Sequence, residues 1–172
     1  MEAPLRPIWC RTPARNQLLI LVFGKTGQVA KELQRFDNVV ALGRADADLS
    51  NPQACTDVIR SYAPKAVINA AAYTAVDRAE DEEAVATVLN GDTPRAMAQT
   101  CAELGIPIVH ISTDYVFDGM GEKPWQPTDT TAPQNAYGRS KLVGELGVRH
   151  SGAVYAILRT SWVVSAHGEN FV

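Results

Sequence analysis

Tyr137-Gly138-Arg139-Ser140-Lys141 sets a phenol and an amine four residues apart, one above the other on a single helix face. A free phenol titrates near pH 10 and is a poor proton-transfer group at neutral pH. A neighbouring ammonium favours the phenolate, so Lys141 is expected to lower the pKa of Tyr137. Lysine can also bond ribose hydroxyls. The spacing alone equally describes a surface pair. Its place in the chain separates the two readings, because it opens a helix after the fourth of a series of short apolar runs. Ser112, Thr113, Asp114 and Tyr115 lie where that fourth run ends. A hydroxyl donor there could hold a substrate oxygen that Tyr137 protonates.

A second feature lies after the first apolar run, in Phe23-Gly24-Lys25-Thr26-Gly27-Gln28-Val29-Ala30. Gly24 allows a tight turn, and Gly27 lets backbone N–H groups approach a phosphate at the positive end of a helix. Ala30 stands where a third glycine would close the dinucleotide pattern, and alanine still permits close helix–strand packing. The Lys-Ser/Thr pair of a Walker loop does not follow the last glycine. The alternative is a strand–helix turn with no ligand. A dinucleotide site reads its ribose roughly 20 residues further on. An acid there favours NAD, but this chain has Gly43-Arg44. A guanidinium suits a 2′-phosphate, so NADPH is expected ahead of NADH, which the site also admits. Arg44 as a solvated surface charge is the other reading. Asp48 and Leu49 could meet the adenine.

These groups need elements to position them. Leu18 to Phe23 is a continuous apolar run, read as a strand buried on both faces. Val29, Leu33 and Phe36 then mark one face of a helix. Asn38 to Leu42 is the second strand. Ser50 or Asn51 caps a helix with Pro52 in its first turn and Val58, Ile59 and Tyr62 on its inner face. Ala66 to Asn69 is the third strand. A helical stretch from Glu82 to Leu104 carries Val85, Leu89, Met97, Cys101 and Leu104, is kinked or split at Pro94 and is capped by Gly105. Ile108 to Ser112 is the fourth strand, Asn135 to about Val148 the next helix, and Val154 to Leu158 the fifth strand. This alternation predicts an α/β fold: a Rossmann-like, doubly wound parallel sheet of about five strands with helices on both faces. Ligands then belong beyond the carboxyl ends of the strands.

The chain has 172 residues, with 16 Lys plus Arg against 19 Asp plus Glu and a net charge of −3. At 46% hydrophobic and 20% charged residues it is globular in composition, and its mild acidity gives no reason to expect a nucleic-acid partner. No apolar run approaches the roughly 18 residues of a membrane span, so no membrane partner is expected. Its three cysteines are widely spaced and fit reduced thiols in a cytoplasmic protein. Residues 1–17 hold prolines and arginines without period. They read as a disordered or extended leader, leaving 18–172 as the nucleotide-binding domain.

The strings FGKTGQVA, DLSNP, INAAAYTAVDRAE, HISTDYVFDG, NAYGRSKLVGE and LRTSW together resemble an extended short-chain dehydrogenase/reductase. Within that superfamily they are most similar to the dTDP-4-dehydrorhamnose reductase family, from about Leu18 to Trp162. The resemblance implies Thr113, Tyr137 and Lys141 as catalytic residues. It implies cofactor contacts at Gly27, Gln28 and Val29, at Asp48 and Leu49, and at Ala71, Ala72 and Tyr73, with Tyr137 and Lys141 shared, beside Gly24 and Arg44 read from the turns themselves. Asp114, Tyr115 and Trp162, with Thr113, would face a dTDP-sugar; Trp162 as plain packing is the alternative. Asn90 matches an asparagine that shapes the site in the superfamily, or is a helix-surface residue. His110 reads as strand core. The family chain runs more than a hundred residues further, through the rest of the sheet and a substrate lobe. The sheet is therefore expected to be incomplete. Some relatives use Mg²⁺ at a dimer contact. Glu32 matches one ligand position, but its partners would lie in that further part, so no metal is expected here, while a homodimer remains open. The implied reaction is NADPH-dependent reduction of a 4-keto sugar. Two alternatives are another sugar-nucleotide epimerase or dehydratase, and a non-catalytic relative like the regulatory subunit of methionine adenosyltransferase.

Overall fold

The structure is a computed structural model that describes residues 18–168. The expected leader, residues 1–17, lies outside the described residues. The elements in chain order are β1 (Ile20–Phe23), α1 (Gln28–Leu33), β2 (Val39–Leu42), α2 (Pro52–Tyr62), β3 (Ala66–Asn69), α3 (Glu83–Thr87), α4 (Thr93–Leu104), β4 (Ile108–Thr113), α5 (Ala136–Arg149) and β5 (Tyr155–Thr160). The five strands form one sheet in the order β2-β1-β3-β4-β5, every pair parallel. Right-handed crossovers place α1 on one face and α2, α4 and α5 on the other. There α2 packs on α4, and α4 on α5. The strand order reverses between β1 and β3, so the crevice of this doubly wound sheet opens beyond their carboxyl ends.

Local chemistry accounts for most boundaries. Asn51 caps α2, its side chain accepting from the Ala54 N–H at 3.2 Å, and Pro52 follows where a missing N–H costs nothing. Gly105 ends α4 in the left-handed conformation, φ +64°. Asn135 caps α5 by accepting from the Gly138 N–H at 2.7 Å. The core lies between the sheet and α2, α4 and α5. Leu21, Phe23, Ile59, Val67, Met97, Cys101 and Ile108 are fully buried there, and burial of each large side chain is worth about 1.5–3 kcal/mol.

Three apolar positions depart from the periodic reading. Phe36 lies past the end of α1 and is 61% exposed. The chain turns at Phe36 to start β2, and the Phe36 carbonyl accepts from the Val39 N–H. Val85 and Leu104 are also exposed. Between α3 and α4 the backbone widens into a π-turn over Val88–Asp92. The extra residue in that turn shifts the inward face, so one 3.6-residue period cannot be carried across it. The expected break at Pro94 takes this form, with Pro94 buried in the first turn of α4.

At the far edge, β5 leaves Leu158 half-exposed on the face opposite α5.

Candidate active site

Gly24 holds φ +107°, and a Cβ there would lie 2.9 Å from the Ala70 carbonyl oxygen and the Ala71 nitrogen. Only glycine lets the β1–α1 turn sit this close to the β3 exit. Gly27 starts α1 in extended backbone, φ −71°. These turns and the exit of β2 enclose a cleft of about 340 Å³, lined among others by Lys25, Gly43, Arg44, Asp48, Leu49 and Ala71. A second cleft of about 270 Å³ is lined by Gln28, Val29, Thr113, Tyr137, Lys141 and Thr160, among others. Both clefts share Gly27, Ala70, Ala71, Ala72 and Thr74 as walls. The pair therefore forms one elongated groove across the switch point.

At the first end the Arg44 side chain is 79% exposed, its Nε 3.6 Å from Asp48 Oδ2. Asp48 accepts from the Ser50 N–H at 2.9 Å, and Ser50 holds its carboxyl below the usual range, with Arg44 adding a smaller effect. The reading of Gly43 as a position without an acid missed Asp46, whose carboxylate accepts from the Gly43 N–H at 2.9 Å. It also passed over Lys25, a second cation in this cleft. Both lie in turns, where only the fold decides which backbone they approach.

At the second end, Thr113, Tyr137 and Lys141 are brought together as expected. The Thr113 hydroxyl shares the wall of this cleft with the Tyr137 phenol. It also lies 3.1 Å from Asp114 Oδ1 and accepts from the Tyr115 N–H at 3.2 Å. Tyr115 meets Tyr137 edge to face, with ring centroids 5.6 Å apart. The expected lowering of the phenol pKa does not occur. Burial raises the pKa of Tyr137, outweighing the influence of the Thr113 hydroxyl, which lowers it, and nearby Asp114 adds to the rise. Lys141 is buried on its other side, donating to the Ile111 carbonyl at 2.7 Å. Burial brings its pKa down to about 8, against a smaller upward pull from Glu145. Tyr137 is thus held as a neutral phenol, a proton donor.

Tyr73, Asp114, Tyr115 and Trp162 are not among the residues lining either cleft. The Tyr73 hydroxyl donates to Glu82 at 2.7 Å, and Thr74, which the sequence reading passed over, lines both clefts beside it. Trp162 is 69% exposed beyond β5. Asn90 is no helix-surface residue, being 1% exposed. Its Oδ1 accepts from the Tyr73 N–H at 2.8 Å, and its Nδ2 donates to the Tyr73 carbonyl at 3.1 Å and to Ser140 Oγ at 3.0 Å. It ties the β3 exit to α5. His110 is core, as expected, with Nδ1 3.2 Å from Asn69 Nδ2. The Asn69 Oδ1 accepts from the Ala71 N–H at 3.2 Å, so this buried pair supports the groove floor. Glu32 pairs with Arg35 at 3.0 Å and His167 at 3.1 Å. Among the described residues no three His, Cys, Asp or Glu gather to hold a metal.

A groove with a glycine turn and two cations at one end and a half-buried phenol and a buried amine at the other fits an elongated dinucleotide. The comparisons agree with this geometry. A dTDP-4-dehydrorhamnose reductase of Salmonella typhimurium is 46% identical over 160 residues, covering 88% of this chain and 54% of the relative. The chain thus spans about half the length of the curated relatives it matches. The crystal structure of a Bacillus anthracis dTDP-4-dehydrorhamnose reductase in complex with NADP superposes with a TM-score of 0.85 at 34% identity, covering 91% of this chain and 57% of that one. One from Clostridium acetobutylicum superposes with a TM-score of 0.83 at 38% identity, covering 88% and 56%. The family described as the RmlD substrate binding domain matches residues 18–172, and the chain belongs to that family.

Proposed function

We propose that this chain is the cofactor-binding and proton-donating part of an NADPH-dependent oxidoreductase. The enzyme reduces the 4-keto group of dTDP-4-dehydro-L-rhamnose to give dTDP-L-rhamnose, a precursor of cell-surface polysaccharide. The observation that carries this is the convergence of Thr113, Tyr137 and Lys141 at one end of the groove that begins at the glycine turn.

The chain's own residues divide the work by position. Gly24, Gly27, Gln28 and Val29 hold the phosphates, Arg44 with Lys25 the 2′-phosphate end, and Asp48 and Leu49 the adenosine. Ala71 and Ala72 form the floor, with Tyr73 behind it. Lys141 bonds the ribose on the nicotinamide side. When bound, the cofactor supplies a hydride to C4. Thr113 holds the keto oxygen by a hydrogen bond, and the neutral Tyr137 gives it the proton, so that carbonyl becomes hydroxyl. Asp114, Tyr115 and Trp162 face the sugar nucleotide. The setting is the cytoplasm, with a homodimer as the assembly. An absorbance assay at 340 nm with NADPH and dTDP-4-dehydro-L-rhamnose, followed by product identification, tests the reading. Tyr137→Phe is expected to lower turnover about 10²–10⁴-fold with NADPH binding unchanged. A chain that purifies with tightly held NAD⁺, without substrate-dependent NADPH oxidation, is instead an epimerase or dehydratase.

A further inference from the structure

Glu145 is fully buried on α5, one turn beyond Lys141 and two beyond Tyr137. Its carboxylate accepts from three side chains. Ser112 Oγ donates at 2.6 Å from β4. Arg159 of β5 donates in fork geometry, Nε at 2.9 Å and Nη2 at 2.7 Å. Arg149 approaches at 3.4 Å. Each strand partner immediately precedes a residue of the second cleft: Ser112 precedes Thr113, and Arg159 precedes Thr160. Ser112 and Arg159 are also register partners across β4 and β5.

Arg159 has a second side. Its guanidinium lies 4.8 Å from the centroid of the Phe117 ring. That ring stacks on Trp125, with centroids 4.5 Å apart and planes 3° from parallel. Its Nη1 donates to the Pro127 carbonyl at 3.3 Å. Phe117 to Pro127 belongs to the segment that leaves the Thr113 turn and returns to α5 just before Tyr137. One guanidinium thus holds the middle of the connection between the two hydroxyls, while its carboxylate partner sits on the helix that carries Tyr137. A buried, bidentate pair is rigid, and a planar fork is suited to this double duty.

We propose that Glu145 and Arg159 are positioning residues of the catalytic end of the groove. They lock α5, β4 and β5 in one relative placement and anchor the Phe117–Pro127 segment. The inference rests on the dinucleotide reading above, and its test separates the two.

The experiment uses the 172-residue protein and two ligands. Adenosine 2′,5′-bisphosphate reaches only the first cleft, whereas NADPH spans both. Arg159→Met and Glu145→Gln are expected to lower NADPH affinity about tenfold, in line with the cost of small misplacements. Binding of adenosine 2′,5′-bisphosphate stays unchanged. Because a single change strands a buried charge, Glu145→Leu/Arg159→Met serves as the folded reference: it removes both charges together. It is expected to show the same selective loss. Arg159→Lys, which keeps the charge but not the fork, restores part of the NADPH affinity. A ligand-free readout uses Trp125 as the only tryptophan, in a Trp9→Phe/Trp162→Phe background. Removing Arg159 is expected to shift its emission to the red and raise its quenching by acrylamide. Equal losses for both ligands would mark a general structural role and overturn the proposal. So would unchanged NADPH affinity and Trp125 emission in the folded double variant. If the unmodified protein binds neither ligand, the dinucleotide reading fails and the positioning role falls with it; the tryptophan readout then still decides whether Arg159 anchors the segment.

Discussion

Gly144 of α5 and Asn90 of the π-turn meet backbone to backbone, so closely that a Cβ on Gly144 would overlap the Asn90 carbonyl oxygen. The contact seats α5, with Tyr137 and Lys141, against the turn that holds Tyr73. Gly144→Ala gains helix propensity but forces backbone from backbone. A net destabilisation of about 3 kcal/mol is expected, because neither partner is a flexible side chain. Urea unfolding checks it, and a neutral or stabilising result would show that the two elements can part freely.

Lys141 gives stability a pH signature. Burial lowers its pKa in the fold to about 8 from 10.5. Between those values the unfolded chain binds a proton that the folded chain does not, so this group's contribution to stability rises with pH and is lost as pH falls toward 8. The buried thiols of Cys55 and Cys101, pushed up to about 12, act in the opposite sense. The readout is therefore the difference between the unmodified protein and Lys141→Met. That difference should move in favour of the unmodified protein by about 2 kcal/mol from pH 8 to pH 10.

His110 has the same sign at lower pH. Burial, with the Lys141 charge, holds its pKa well below 6.5. The unfolded imidazole takes up a proton below about pH 6.5 while the folded one resists, so stability falls as pH drops. Unfolding midpoints at pH 7.5 and 5.5 should differ more in the unmodified protein than in His110→Gln, with a limiting slope of about 1.4 kcal/mol per pH unit. Equal slopes would mean that the buried imidazole takes its proton in the folded state.

Arg44 is expected to set cofactor preference, though at a solvent-exposed position. Arg44→Ala should narrow the NADPH-over-NADH ratio by about two- to tenfold, less than a buried charge-assisted bond would give. Fluorescence titration of both cofactors measures it. A ratio that survives Arg44→Ala but collapses in Lys25→Ala would move the 2′-phosphate contact to the glycine turn.

What the sequence by itself determined were the features written in short range. The runs Ile20–Phe23 and Ala66–Asn69 are strands because they are apolar, short and bounded by turn residues. Asn51, Gly105 and Asn135 end or begin helices through bonds within a few residues. The Tyr137–Lys141 spacing and the Gly24 turn are equally local. The tertiary structure alone decided what depends on distant partners. Asn90 reads as any helix asparagine until it meets Tyr73, 17 residues away, and Ser140, 50 away. Glu145 is buried only because the fold brings Ser112 and Arg159 to it, 33 and 14 residues away. The direction of the Tyr137 shift depended on a balance between a neighbouring charge, which spacing suggests, and burial, which only packing supplies. Burial prevails as the largest influence on the half-buried Tyr137, while the Lys141 ammonium donates to the Ile111 carbonyl.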